Sequence, residues 1–439
     1  MRPHTARPYS RHAARGAAAS AAPARPLFQQ ESSPMHVCVL GAGITGLATA
    51  YRLQCAGHRV TVVDRAAPGQ GASGGNGAQL SYSYVQPLAD PGLWKQLPTL
   101  LLSPGSPLKL RPRLDPHQWR WAMAFLAACN ADTSRETTAQ LLALAAESRA
   151  GFEAMRADLQ PDCDFSATGK LVLYGSAAAL AGAARQVALQ AGLGSGAQRI
   201  VTPAECAQIE PALDAYRHRI AGAVHTPSEC AADCLKVCEA LARALAQRGA
   251  VLHTGLEAQG VEVRQGRAVG LRTAQGVLEA DRLVVALGTA SWRLARTLGV
   301  RVPVYPLKGY SLTLDLAAHG TGAAAGPRVS ITDSPRKVVF ARIGDRLRVA
   351  GMAEIVGHGS QIPPARIAML RQATQAVFPQ LADAPELQHW TGMRPATPTG
   401  RPVVGRLPNT PEGLLFNTGH GALGFTLAFG TAARIEAMV

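Results

Sequence analysis

The segment between residues 36 and 64 constrains the fold more than any other part of the chain. A short apolar run at 36–40 is followed by the glycine triplet of residues 41–46, and a helical stretch then continues to Gly57. A second apolar run at 60–63 ends at Asp64. This order is typical of a strand, a helix and a second, parallel strand. The sequence therefore predicts a parallel sheet built on a βαβ unit.

Each glycine of the triplet has a physical reason for its position. Gly41 permits a tight turn, Gly43 lets the backbone approach a pyrophosphate, and Gly46 lets the helix pack closely on the strand. The helix amino terminus offers N–H groups and partial positive charge to phosphates. Asp64, 18 residues after Gly46, is placed to accept hydrogen bonds from ribose hydroxyls. The residues predicted to bind a dinucleotide are Gly41, Ala42, Gly43, Ile44, Thr45, Gly46, Asp64 and Arg65.

Two further glycine-rich segments favour FAD over NAD as the dinucleotide. The small, polar loop 73–79 has a composition suited to wrapping a ribityl chain and an isoalloxazine ring. The segment 418–424 enters a helix, and its backbone N–H groups are expected to face the negative charge that develops at the N1–C2=O edge of a flavin. The residues added to the predicted cofactor site are Ser73, Asn76, Gly77, Ala78, Gln79, Ala286, Gly288, Gly419, Gly421, Ala422, Leu423 and Gly424.

Apolar periodicity and turn residues predict two interleaved domains in an α/β (α+β) fold. Helices are predicted within 93–160, and at 177–192, 233–247, 364–378 and from 424 onward. Strands are predicted at 171–174, 282–287, 302–315, 328–333, 336–343, 346–351 and 414–416, with an antiparallel meander of runs 249–253, 260–264, 267–273 and 277–279. We expect a Rossmann-like FAD-binding domain from 35–90, 220–300 and 395–439, and an antiparallel-sheet substrate or cap domain from 91–219 and 301–394.

The chain has 439 residues and a formal charge of +15. Residues 1–34 contain five Arg and one acidic residue. We interpret them as a disordered or non-native extension before Met35, with an organellar transit peptide as the alternative. No apolar run reaches about 18 residues, so no transmembrane helix is predicted. The scattered cysteines fit a reducing compartment and predict a cytoplasmic protein.

Four stretches, 304–313, 351–357, 390–395 and 417–424, resemble the FAD-dependent amino-acid oxidase superfamily. Within it, they resemble the small, catalytic subunit of bacterial D-amino-acid dehydrogenases. The resemblance implies oxidation of a D-amino acid by hydride transfer from Cα to flavin N5, after which water yields a 2-oxo acid and ammonia. It also implies that the electrons pass to a membrane quinone or another acceptor. The chain departs from the family pattern in reading Asn76-Gly-Ala-Gln79 where Asn-Ala-Gly-Gln is expected.

The same resemblance indicates four catalytic candidates. Arg394 occupies the position that holds the substrate carboxylate, and a guanidinium fork matches a carboxylate bidentately. Tyr310 is a second contact for the carboxylate or the amine, or else a core tyrosine. Lys308 is expected to face negative charge on the reduced ring, or else solvent. His420 is expected to help stabilise the flavin anion, or else to serve the backbone or be exposed.

Two features receive a structural and a functional interpretation. Residues 94–125 combine tryptophans with lysine and arginine, which suits either a peripheral contact with the inner membrane or a helical cap over the active site. Cys230, Cys234 and Cys238 repeat every four residues, and we interpret them as one buried helical face. No metal site is predicted.

Three other functions remain open at this level. One is an amine oxidase of the glycine or sarcosine type that uses oxygen, and another is a non-catalytic subunit that holds FAD for a partner. The third is a nucleic-acid binder, suggested by the net charge. The basic residues are scattered and no recognition helix is evident, so no nucleic-acid partner is predicted.

Overall fold

The computed structural model describes residues 34–92, 94, 108–318 and 326–439. The described helices are α1 (Ile44–Cys55), α2 (Pro116–Ala128), α3 (Ala131–Leu159), α4 (Ala177–Ala191), α5 (Pro203–Ile209), α6 (Cys234–Gln247), α7 (Ser291–Arg296), α8 (Pro364–Val377) and α9 (Gly424–Glu436). The first ten strands are β1 (His36–Leu40), β2 (Arg59–Asp64), β3 (Gln79–Leu80), β4 (Leu108–Leu110), β5 (Lys170–Tyr174), β6 (Arg199–Val201), β7 (Gly222–Thr226), β8 (Cys230–Ala231), β9 (Val251–Thr254) and β10 (Gly260–Arg264). The remaining strands are β11 (Arg267–Thr273), β12 (Gly276–Glu279), β13 (Arg282–Val285), β14 (Tyr305–Asp315), β15 (Ser330–Asp333), β16 (Val338–Ile343), β17 (Arg346–Ile355), β18 (Glu386–Ala396), β19 (Val403–Gly405) and β20 (Leu414–Thr418).

A six-stranded sheet surrounds the first apolar run, in the order β19-β20-β13-β1-β2-β9. Strand β1 lies between β2 and β13 and is parallel to both. Strands β9 and β20 continue the parallel pairing on the two sides, and β19 closes one edge antiparallel. The apolar residues of β1 and β13 are buried on both faces, which is typical of a parallel sheet covered by helices.

A second, largely antiparallel sheet has the order β18-β14-β17-β16-β15-β5-β7-β6, with β4 beside β17. Strand β14 of this sheet is buried at every residue except the last. One face of this sheet packs on α8, where Tyr310, Leu312 and Leu314 join Ile367 and Leu370 in one hydrophobic cluster.

The loop that follows β2 crosses the opposite face of the second sheet, from β14 towards β5. Ser311 donates its hydroxyl to Gly75 O at 2.8 Å at one end of this crossing. Midway, the Gln79 amide donates to Ile331 O and Phe340 O at 3.1 and 3.0 Å. At the far end, Lys170 Nζ donates to Ser81 Oγ at 2.8 Å. The loop is therefore fixed between the two sheets, and residues 35–439 form one compact unit.

A parallel sheet beside a mainly antiparallel one confirms the predicted fold class. Most predicted elements are present, and the exceptions have physical causes. The run at 249–253 is wrong as a meander strand, because β9 pairs in parallel with β2. The helical segment 93–160 contains strand β4, and residues 95–107 lie outside the described part of the chain. Strand β7 belongs to the second sheet although it lies in 220–300; the domain boundaries themselves remain a prediction.

Candidate active site

The carboxyl ends of four parallel strands bring most of the predicted cofactor residues to one edge of the first sheet. Strand β1 leads to Gly41, β2 to Asp64 and Arg65, β13 to Ala286, and β20 to Gly419. The chain passes from β1 to β2 and β9 on one side, and β13 and β20 lie on the other. The strand order therefore changes direction between β1 and β13, which is where open α/β sheets bind ligands.

The close approach of backbone segments at this edge of the sheet requires glycines of the triplet. Gly41 has φ +112°, and a Cβ there would lie 2.4 Å from Ala286 O. A Cβ on Gly46 would lie 1.9 Å from Gly41 O. Gly43 precedes α1 and supplies no side-chain cap, so the N–H groups of the first turn, apart from that of Ile44, are left open to a ligand. Both the turn and the close packing of α1 therefore depend on residues without a Cβ.

Asp64 and Ser73 hold the backbone around this helix end. Asp64 Oδ2 accepts from Ala42 N at 2.7 Å, and Asp64 Oδ1 accepts from Ala66 N at 2.9 Å. Ser73 Oγ accepts from Ile44 N at 3.0 Å. A carboxylate has about four acceptor positions, so Asp64 keeps capacity for hydroxyl groups after both bonds are made. Arg65 lies at the surface, 3.9 Å from Glu257.

The loop 73–79 is shaped by its own polar side chains. Asn76 Oδ1 accepts from Ala78 N at 2.9 Å, and Ala78 adopts φ +57°. Arg348 Nη1 donates to Asn76 O at 3.2 Å. The two donors of Gln79 are used by strand carbonyls, as described above, so this side chain anchors the loop. Gly77 lies close to Val339, since a Cβ on it would be 3.1 Å from Cγ2.

The second glycine cluster begins where β20 ends. Gly419 and Gly421 have φ +83° and +57°, and a short 3₁₀ turn, Gly421–Leu423, leads into α9 at Gly424. An isolated bridge between Ala396 and His420 joins this turn to the end of β18. The cluster is therefore held against both sheets, and Ala422 and Leu423 lie within its turn.

His420 lies in this cluster as a buried, neutral side chain. Its Nε2 is 3.1 Å from Thr431 Oγ1, and Thr431 Oγ1 itself donates to Ala428 O. The hydroxyl proton is therefore used, so His420 Nε2 acts as the donor. Burial lowers the pKa of His420 to about 4. At neutral pH this residue carries no positive charge, and any stabilisation of an anion here falls to backbone N–H groups.

Arg394 extends from β18 across the face of the second sheet that the loop crosses. Its guanidinium packs on Gly309, where a Cβ would lie 2.4 Å from Nη2, and its Nη1 donates to Met352 O at 2.7 Å. No carboxylate among the described residues forms an ion pair with it. Burial lowers the pKa of Arg394 to about 10, so the group stays charged at neutral pH. Arg394 is therefore a buried cation whose remaining donors can bind a carboxylate.

Trp390 and the loop share that face with Arg394. Trp390 is opposite Ser311 in the β14–β18 register, and its ring fills the space beside Gly75, where a Cβ would lie 2.2 Å from Cδ2. Gly392 leaves room for the same ring, since a Cβ there would be 1.9 Å from Cη2. The Trp390 ring therefore lies between strand β18 and the predicted flavin loop.

Tyr310 and Lys308 lie on the opposite face of the sheet from Arg394. Because β14 alternates its side chains, Gly309 and Ser311 face the loop while their neighbours face α8. Tyr310 donates its hydroxyl to Glu354 Oε2 at 2.6 Å, and Lys308 Nζ donates to Gln361 O at 2.5 Å. The polar atoms of both side chains therefore bond behind the sheet, which fits the interpretation of Tyr310 as a core tyrosine and does not fit a solvated Lys308. A contact of either side chain with the substrate or the flavin stays a prediction.

The sequence did not single out Gly309, Met352 or Trp390. Met352 has φ +65° and occupies a bulge in β17, and a bulge leaves no mark in the sequence pattern. All three residues lie in the stretches that carry the family resemblance. A glycine opposite an arginine-bearing strand is a signal that could have been used, had the register been known.

In the described part of segment 94–125, helix α2 forms a cap, and a contact with a membrane stays a prediction. Trp121 is buried and donates from Nε1 to Ala396 O at 2.8 Å, so α2 caps the end of β18. Leu114, Trp119 and Met123, which we call the α2 surface patch, are exposed, with Trp119 and Met123 46 % and 61 % accessible. Lys95 and residues 100–102 lie outside the described part of the chain. None of the described helices is long and apolar enough to cross a bilayer.

The three cysteines do not share one helix. Cys234 and Cys238 lie on α6, but Cys230 lies on β8, which corrects the predicted common helical face. Burial raises the pKa of Cys230 to about 11 and that of Cys234 further. Within the described ranges, no group of three or more His, Cys, Asp and Glu side chains is arranged to hold a metal ion.

Comparison with known proteins identifies similar sequences over nearly the whole chain. A family described as FAD dependent oxidoreductase matches residues 36–438. A protein of Ralstonia nicotianae named D-amino acid dehydrogenase 2 is 47 % identical over 413 residues, covering 92 % of this chain and 96 % of that protein. A Pseudomonas aeruginosa protein of the same name is 45 % identical over 406 residues, covering 92 % and 94 %. The resemblance drawn from the four motifs is confirmed.

Solved structures show the same fold. Glycine oxidase from Geobacillus kaustophilus superposes with a TM-score of 0.71 at 21 % identity, covering 92 % of this chain and 95 % of that one. L-proline dehydrogenase from P. horikoshii superposes with a TM-score of 0.69 at 16 % identity, covering 92 % and 93 %. At this identity the likeness describes the architecture alone.

Proposed function

Since the chain belongs to the family of FAD-dependent oxidoreductases, we propose that it oxidises D-amino acids to 2-oxo acids and ammonia. Two relatives at 47 % and 45 % identity carry the name D-amino acid dehydrogenase 2, which supports this substrate class over glycine or secondary amines. The observation that carries the proposal is Arg394, a cation that has no acidic partner among the described residues and faces the flavin loop. An amino-acid carboxylate supplies the missing charge.

The residues at the edge of the first sheet fit FAD. The open amino terminus of α1 and the two glycines that exclude any Cβ form a cradle for a pyrophosphate. Asp64 keeps acceptor capacity for the ribose. Asn417, wholly buried at the end of β20, has an Oδ1 without a hydrogen-bond partner, which marks a polar position beside the glycine cluster. We assign the pyrophosphate to Gly41–Gly46 and the flavin to loop 73–79 and segment 419–424.

In the mechanism, bound FAD supplies the two-electron acceptor. Arg394 binds the substrate carboxylate through the donors that remain after Nη1 has bonded Met352 O. Gly309 leaves the guanidinium in contact with the strand, so a bound carboxylate has one orientation relative to the loop. Holding the carboxylate in one orientation also sets the direction of the Cα–H bond. Binding energy used for this orientation lowers the barrier to oxidation.

No side chain of the proposed site is required as a base. His420 is neutral at neutral pH, but its Nε2 is committed to Thr431 and its ring is buried. The substrate amine is expected to lose its proton to solvent before oxidation. The positively charged Arg394 lowers the energy of the carboxylate without competing for that proton.

We further propose that the electron acceptor is a quinone and that the α2 surface patch makes a peripheral contact with the membrane. Exposed apolar side chains on α2 have a basic neighbour, Arg120, which is the composition of an interfacial helix. Flotation with anionic liposomes tests the contact. Replacing Trp119 and Met123 by Ala should reduce the floating fraction, whereas Val277→Ala, an exposed residue in β12, should not. A wild-type protein that stays in the soluble fraction at low salt would refute the contact.

An anaerobic visible spectrum with D- and L-amino acids tests the function itself. We expect flavin absorption that bleaches with D-amino acids and not with their L-enantiomers. Bleaching only by glycine or sarcosine would move the assignment to an amine oxidase. Flavin absorption that no amine bleaches would favour a subunit that holds FAD without catalysis. Unchanged turnover in Arg394→Ala would refute the proposal that Arg394 binds the substrate carboxylate.

A further inference from the structure

A buried ionic cluster lies behind the strand that Arg394 touches. Glu354 accepts from the Tyr310 hydroxyl at 2.6 Å and pairs with Arg366 of α8. Lys308 lies opposite Glu354 in the β14–β17 register, and its Nζ is 5.2 Å from the centre of the Tyr310 ring. All four residues are buried, with at most 7 % of their surface exposed. Burying charges is costly, and their attraction seldom adds net stability, so the cluster calls for another explanation.

Residues of this cluster flank a bulge in β17, and this bulge contains the carbonyl that accepts a hydrogen bond from Arg394. Lys308 pairs with Glu354, but Tyr310 pairs with Gly351, so two steps on β14 correspond to three on β17. The extra residue lies in the segment that contains Met352, with its φ of +65°. The carbonyl of Met352 is the acceptor that holds Arg394 Nη1 at 2.7 Å. Glu354 follows this carbonyl by two residues and is tied to both β14 and α8.

We propose that Glu354 is a positioning residue for Arg394. By holding β17 to Tyr310 and Arg366, it fixes the bulge in the conformation that directs the Met352 carbonyl at the guanidinium. A strained φ at a residue other than glycine persists only where the surroundings enforce it. The cluster acts from behind the sheet, so it controls where a carboxylate binds without contacting it. This inference rests on the proposed role of Arg394 as the carboxylate anchor.

The test compares Glu354→Gln with a matched control, Glu386→Gln. Glu386 pairs with Arg371 of α8 from the first residue of β18, so it also links the helix to the sheet, but Arg371 is exposed. Gln at 354 retains an acceptor for Tyr310 and removes the charge that pairs with Arg366. The probes are benzoate and the neutral benzamide, whose binding to the holoenzyme is followed by flavin difference spectra.

We expect Glu354→Gln to raise the Kd of benzoate and the KM of the D-amino acid about tenfold. The Kd of benzamide should change less than twofold, and Glu386→Gln should change neither Kd. If Glu354→Gln does not fold, Tyr310→Phe removes one tie to Glu354 and is expected to give a smaller shift with the same selectivity for the anion.

Two results would overturn the inference. One is an unchanged benzoate Kd in both cluster variants, and the other is equal weakening of benzoate and benzamide, which a general loss of packing would give. Failure of the proposed function is seen separately. In that case Arg394→Lys itself would leave benzoate binding intact, whatever the cluster variants do.

Discussion

The contact between Gly309 and Arg394 gives a prediction whose size follows from the structure. In Gly309→Ala, the new Cβ would lie 2.4 Å from Nη2 and 2.5 Å from Cζ and Nη1 of Arg394. Ordinary contact begins near 3.4 Å, so the guanidinium has to move by about 1 Å. The φ of Gly309 is accessible to any residue, so the substitution acts through the added methyl group and not through backbone strain.

A displacement of about 1 Å in a substrate-positioning group costs on the order of 100-fold in rate. This corresponds to about 2.7 kcal/mol of transition-state stabilisation, at about 1.36 kcal/mol per tenfold change. We therefore expect Gly309→Ala to lower kcat/KM for a D-amino acid about 100-fold while the melting temperature stays within a few degrees of wild type.

The assay is steady-state reduction of a dye acceptor, with flavin content measured for every preparation. Gly359→Ala is the matched control, since a Cβ there meets no atom within 4 Å. A Gly309→Ala variant with full flavin content and wild-type kcat/KM would refute the placement of Arg394 at the substrate. Loss of flavin in the same variant would show that the effect lies in the cofactor site instead.

Two further predictions concern the cofactor edge. Gly46→Ala should yield protein without flavin absorption, because its Cβ would lie 1.9 Å from Gly41 O. Gly71→Ala is the control and should retain flavin, because a Cβ there meets open space. Equal absorbance at 450 nm per chain in the two variants would contradict this prediction. His420 has a pKa of about 4 when folded and 6.5 as its ordinary value, so unfolding takes up a proton between these pH values and stability falls as pH drops. From pH 7 to 5 we expect a loss of about 2 kcal/mol from this residue. In urea titrations, His420→Asn should show a correspondingly smaller dependence on pH, and an unchanged dependence would mean that the ring is not neutral by burial.

The central strands and the dinucleotide motif could be predicted because their signals are local. Strands such as β1 and β13 are continuous apolar runs, and the glycine triplet fixes a turn whose geometry depends on adjacent residues. Strand β18 was not predicted, because its residues are half-exposed and alternate neither in polarity nor in size. Its extended form comes from pairing with β14, a contact between residues about 80 positions apart, such as Lys308 and Met393.

The division of the candidates between two faces could not be read from their spacing. Tyr310 and Arg394 both occur in stretches that resemble the family, but which face each occupies depends on the register of three strands. A one-residue change in register exchanges the faces of a strand. The bulge at Met352 is such a local irregularity, and the residue pattern of Gly351–Glu354 does not predict it. The neutrality of His420 was equally hidden, since it depends on burial by α9.

The position of β20 in the first sheet has a consequence for how the protein is made. Strand β20 pairs with β13 and leads into the glycine cluster, yet it is synthesised long after β13. Local helices can form while the chain leaves the ribosome, but this pairing joins residues about 130 positions apart and waits until β20 has been synthesised. Until then, the edge of β13 is exposed and unpaired. We therefore expect the nascent chain to depend on chaperones, and FAD to be captured only after residues 414–424 have been synthesised.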